Sequence, residues 1–138
     1  MRRPRLLAIV AAGCAVLAFP GLADAASPRA QRSVAGVRAT LRAYATDLLA
    51  GNAKAGCALL TGAAQKEIAK ANHLSGCEKV IEIASQLLKS SPKQAAKVRS
   101  YASTVKITLH GDTATVPKLG EGGLSTLTYS HGLWYLAS

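Results

Sequence analysis

The feature that most constrains this chain is a change of hydrophobic period near residue 104. Before it, apolar residues recur every three to four positions. After it they alternate. A 3.6-residue period places side chains on one stripe of a helix, and a 2-residue period places them on one face of a strand. Helices first and strands afterwards define an α+β domain, with the helices packed on one face of an antiparallel sheet.

Ser33 is positioned to cap a first helix whose stripe is Val34, Val37, Leu41, Tyr44 and Leu48, with Gly51 where a C-terminal cap belongs. Arg38 and Arg42 lie one turn apart, off that stripe. Asn52 can open a short second helix with Cys57, Leu59 and Leu60. Thr61 can open a third with Ala64, Ile68 and Ala71 inward. Ser75-Gly76-Cys77-Glu78 has the form of a capping box. It predicts a fourth helix with Cys77, Val80, Ile81, Ala84, Leu87 and Leu88 on one face. Ser91-Pro92 starts a brief fifth helix ending near Val98.

Four strands are then expected. The first is the alternating stretch through Val105, Ile107 and Leu109, and the second is Thr113 to Val116. Ser125 to Tyr129 and Leu133 to Leu136 complete the set. The turns His110-Gly111-Asp112 and Ser130-His131-Gly132, with a Gly-rich loop from Leu119 to Gly123, join them into an antiparallel meander. The chain contains 27 Ala. Such small side chains predict closely packed helices with little free volume.

The first 25 residues read as an address rather than as structure. Arg2, Arg3 and Arg5 precede an apolar run from Leu6 to Phe19. Pro20 and Gly21 break the run, and Ala23-Asp24-Ala25 has the small-x-small form of a signal-peptidase site. The expectation is a secretory signal peptide at 1–25 cleaved after Ala25, a linker at 26–32 and one domain at 33–138. As a helix, the apolar run spans only ~21 Å, short of a ~30 Å hydrocarbon core. No membrane span is therefore expected after cleavage. A competing expectation is lipidation of Cys14, because Ala11-Ala12-Gly13-Cys14 partly resembles a bacterial lipobox. Ala in place of Leu three residues before the Cys weighs against it, as does the apolar run continuing past Cys14.

Cleavage leaves Cys57 and Cys77 as the only pair, each on an apolar helix face, in a compartment where thiols oxidise. A structural disulfide is expected, closing a loop of about twenty residues and stabilising the fold by about 3 kcal/mol. The alternatives are two separate buried thiols, a thiol nucleophile, or a metal shared by His73 and Cys77. The last two need a thiolate, which the bond removes. His110, Asp112 and His131 sit in turns at one end of the meander, where they can form a polar cluster. The two histidines are expected ~10 Å apart, two strand spacings, too far to share a proton directly. His-Gly and Asp-bearing turns are also ordinary turn chemistry.

Of 17 Lys+Arg and 7 Asp+Glu, removal of Arg2, Arg3, Arg5 and Asp24 leaves 14 and 6, a net charge of +8. That charge draws the chain to anionic polymers and headgroups in a salt-dependent way. The basic residues are spread along the chain without stacking aromatics or a helix-turn-helix pattern, which argues against nucleic acid. No Gly-x-Ser-x-Gly elbow, His-Glu-x-x-His or phosphate loop is present. No catalytic residue, cofactor or metal set is expected.

The first helix ending in Gly51 is followed by Cys57-Ala58-Leu59-Leu60-Thr61 and a second Cys twenty residues on. The run from Val105 to Val116 and the closing Leu133-Trp134-Tyr135-Leu136 come after it. Together these resemble the small secreted NTF2-like (cystatin-like) proteins of GC-rich bacteria. The resemblance implies a curved sheet wrapping helices into a cone over residues 33–138. It lacks the strand pair that larger NTF2-like enzymes place between the early helices and the sheet. The implied function is an exported, non-enzymatic module that binds a partner protein, an anionic envelope component or a small apolar ligand. The alternative is a small cone-pocket enzyme of isomerase or dehydratase type, whose acid–base pair the sequence does not identify.

Overall fold

The structure, a computed structural model, describes residues 27–119 and 123–138. The signal peptide, its cleavage point and Cys14 lie outside the described residues. A short 3-10 turn at Pro28–Ala30 leads into five α-helices: α1 Val34–Ala50, α2 Ala53–Ala58, α3 Gly62–Ala71, α4 Cys77–Lys89 and α5 Pro92–Thr104. Four strands follow: β1 Thr108–His110, β2 Thr113–Thr115, β3 Thr126–Ser130 and β4 Leu133–Leu136. They form one antiparallel sheet in the order β1-β2-β3-β4, so the domain is α+β with its sheet after its helices. Among the described residues no helix is long and apolar enough to cross a membrane.

The register lines up Leu109, Ala114, Leu127 and Leu136 across the four strands. Ala114, Leu127 and Leu136 in that row are buried, and Leu109 packs against the core. Threonines 113, 115, 126 and 128 occupy the alternate positions. Trp134, fully buried, pairs across from Tyr129 with the rings edge to face, centroids 5.4 Å apart. The free edge of β4 is covered. Thr61 donates its N–H to Leu136 O at 2.8 Å, and Leu136 donates to Leu59 O at 2.9 Å, making a short parallel bridge. Covering an exposed ladder in this way blocks edge-to-edge pairing.

Helix α1 is the hub, packing against α2, α4, α5 and β4. Gly51 ends it in the left-handed region (φ 75°), as its position in the sequence predicts. Thr61 caps α3 by accepting the N–H of Ala64 at 3.1 Å.

Six local readings need correction. Val34, read as the head of the α1 stripe, is 43% exposed. The capping box does not form: the N-cap of α4 is Gly76, one residue later than Ser75, so Glu78 enters the first turn and Ser75 stays outside. That helix buries Cys77, Ile81 and Ser85, a strict four-residue spacing, and leaves Leu87 64% exposed. In α3, Ala69 is buried and Ala71 exposed. Helix α5 continues past Val98 to Thr104, because Tyr101 and Ala102 extend its inward face. Val105 to Ile107 then form an extended approach to a shorter β1. Lastly, residues 28–32, read as a linker, dock onto the domain.

That docked segment is a strap held by side chains from far along the chain. Trp134 Nε1–H donates to Gln31 O at 2.8 Å, and the Tyr129 hydroxyl donates to Ala30 O at 2.8 Å. The Arg29 guanidinium donates to Trp134 O at 2.6 Å and lies over the Tyr135 ring, 5.2 Å from its centroid. Partial burial lowers the Arg29 pKa from its ordinary value, and nearby Tyr135 opposes that shift. The strap crosses α1 at Gly36, where a Cβ would come within 1.8 Å of Gln31 O. Only glycine allows this crossing.

Candidate functional site

Cys57 and Cys77 meet at disulfide bonding distance, with Cα atoms 6.0 Å apart, tying α2 to the start of α4. Both are buried. Gly56 lets the helices close up: a Cβ there would lie 2.7 Å from Ile81 Cδ1. A structural tie fits this dense surrounding.

Asp112 and His131 in the turns each have a partner of their own. Asp112 forms an ion pair with Arg32 of the strap. His131, at φ 50°, has its Nδ1 2.7 Å from its neighbour's Ser130 Oγ. His110 and His131 are exposed. Among the described residues no three His, Cys, Asp or Glu side chains come together to hold a metal. His73 also adopts positive φ, at the exposed end of α3.

The site that does emerge is a hollow between α1, α5 and the sheet. Its volume is about 220 Å³. Leu41, Tyr44 and Leu48 of α1 face Val98 and Tyr101 of α5, with Ile68 of α3 beneath. Leu119, Gly123 and Leu124 border it from the loop before β3. These positions follow from helical spacing, since 41, 44, 45 and 48 on α1 and 98, 101 and 102 on α5 each share a stripe. The alanine-rich helices therefore do not pack to exclusion. Ala45 and Ala102 bring the backbones together but are too short to fill the space beside the contact.

The chemistry of the hollow is neutral. Among the described residues its lining carries no Asp, Glu, His, Lys or Arg. Its polar groups are the Tyr44 hydroxyl and the Asn72 side-chain amide, whose nitrogen donates to Ile68 O at 2.7 Å. Burial raises the pKa of Tyr44 above its ordinary 10.0, so the phenol stays protonated at neutral pH. Tyr101 is raised by the same cause, and its hydroxyl donates to Pro117 O at the rim. Apolar walls with a few orienting polar groups describe a small-molecule binding cavity.

Composition and stripes point away from this cavity, because a void is a property of how stripes meet rather than of any one stripe. The available hint was the pairing of Tyr44 with Leu48 on a helix otherwise rich in Ala. No protein-family model, no curated protein and no solved structure matches this chain.

Proposed function

We propose that this chain is an exported, non-enzymatic binding module whose helix–sheet hollow takes a small apolar ligand. The observation that carries the reading is the neutral cavity of about 220 Å³ between α1 and α5. It exceeds the ~150 Å³ of an engineered cavity that admits benzene and falls below the ~300 Å³ lower end of drug-sized sites. The ligand is then a single ring or a short acyl chain. Export is supported by the tripartite N-terminus and by a cysteine pair at bonding distance, which suits an oxidising compartment. The NTF2-like assignment belongs to the same proposal. Its support is the helices-first order, the four-stranded meander and the buried Trp134 in the closing strand.

The test is a titration of the mature chain with butanol, hexanol and octanol, followed by the methyl resonances of Leu48, Val98 and Leu124. Saturable shifts are expected at these methyls, with affinity rising about fourfold per added CH₂. Val98→Phe, which fills the hollow, should abolish them. No saturable shift with any alcohol, or shifts indifferent to Val98→Phe, would overturn the reading.

A further inference from the structure

The hollow has a counterpart on the other side of the α1–α5 contact. There a groove of about 560 Å³ is lined by Arg42 and Thr46 of α1 and by Arg99 and Ser103 of α5. The two spaces share Ala45 and Ala102 in their linings, so they lie on either side of one helix–helix contact. The split follows the helical period. On α5, Val98 and Tyr101 turn inward while Arg99 and Ser103 turn outward. On α1, Tyr44 and Leu48 turn inward while Arg42 and Thr46 turn outward.

The two spaces differ in charge, although the outer one also has apolar wall from Leu49 and Ala50. The inner one is apolar and neutral. The outer one presents two guanidinium groups and two hydroxyls, with no carboxylate in its lining among the described residues. Arg42 and Arg99 are exposed, and neither forms an ion pair among the described residues. A guanidinium presents paired N–H donors that match the oxygens of a carboxylate or phosphate. The fully buried residues of α5 are two alanines, Ala95 and Ala102, whereas α4 buries Cys77, Ile81 and Ser85. Few buried apolar contacts mean a low free energy of local opening.

We propose that the natural ligand is a single-chain anionic amphiphile that straddles the α1–α5 seam. Its alkyl tail lies in the inner hollow and its anionic head on Arg42 and Arg99. This rests on the binding reading above and adds the ligand's charge, its orientation and its route of entry.

The experiment compares octanoate, octanol and octyltrimethylammonium on the mature chain by calorimetric titration, at low and high salt. Octanoate should bind about fivefold more tightly than octanol at low salt, and octyltrimethylammonium more weakly than either. High salt should erase the difference. The double variant Arg42→Gln/Arg99→Gln should weaken octanoate about fivefold and leave octanol within about twofold. Both substituted residues are exposed, so circular dichroism should match the parent. Val98→Phe should remove binding of octanol and octanoate together. Equal affinity for octanol and octanoate, insensitive to the arginines, would overturn the amphiphile and leave the cavity reading standing. Binding by neither would overturn both. Octanoate binding that needs the arginines but ignores Val98→Phe would also overturn the proposal, because it places the tail elsewhere.

Discussion

The α2–α4 contact and the α1–α5 contact both bring helices together on small residues, Gly56 in the first and Ala45 with Ala102 in the second. In the first, Ile81 reaches across to the space above Gly56 and is fully buried, and Cys57 is tied to Cys77. In the second, Arg38 of α1 reaches Ala102 O of α5 at 3.5 Å, yet hollows of about 220 Å³ and 560 Å³ remain inside and outside. A small residue thus sets only how near two backbones come. Whether the space beside it is filled depends on the next large side chain along each stripe. One contact is built as a fastening and the other as a seam.

The strongest way to break this contrast is to shorten the residue that fills the first contact. Ile81→Ala should destabilise the domain by about 4 kcal/mol, whereas Val98→Ala, at the edge of an existing hollow, should cost about 1 kcal/mol. Urea unfolding of the two variants measures the gap, and equal losses would erase the distinction.

Removing the tie comes next. Cys57→Ala/Cys77→Ala should cost about 3 kcal/mol and leave alcohol binding at the seam unchanged, since the bond lies in the other contact. A shift of alcohol affinity in this variant would show that the two contacts are coupled.

A smaller effect is expected at the closest approach. Gly56→Ala places a methyl 2.7 Å from Ile81 Cδ1 and should cost about 2 kcal/mol. Pairing it with Ile81→Val should recover part of that loss, and a double-mutant cycle reads the recovery.

The smallest effect is at high pH and belongs to the seam. Burial holds the phenols of Tyr44 and Tyr101 above their ordinary 10.0. The fold favours the protonated form, so this contribution to stability is fully present below pH 10. It is lost as pH rises through the raised native values. Tyr44→Phe should flatten part of the alkaline decline in stability. Absorbance titration of the phenols should show the late-ionising component shrink.

Much of the fold is legible in the sequence, but the contrast between the two contacts is not, and it shows where sequence patterns stop. The α1 stripe from Val37 to Leu48, the strands from β2 to β4 and the meander follow from period and turn residues. The cysteine pair follows from counting once the expected signal peptide, with Cys14, is set aside. Leu87 fits a helix face on paper because three- and four-residue spacings both describe one, yet it is 64% exposed. Ser85 at 2% exposure, under Gly51, shows which one the packing selects. The end of α5 was missed because Tyr101 and Ala102 suit both a helix and the approach to a strand. The strap at 28–32 has no period of its own. It is fixed by backbone carbonyls accepting from Tyr129 and Trp134 about a hundred positions away, which no local pattern encodes. The hollow escaped for a related reason, since Ala45 and Ala102 read as close packing until both helices are in place.

Amide hydrogen exchange in the native state, with and without octanol, tests the fastening-and-seam account most directly. It reports opening of each helix separately. The account predicts that amides of α5 around Val98 to Ala102 exchange faster than those of α4 around Ile81 to Ser85. It also predicts that octanol slows α5 more than α4, which borders the hollow through Val80 alone. Equal protection of the two helices, or octanol protection that spreads evenly over both, would contradict it.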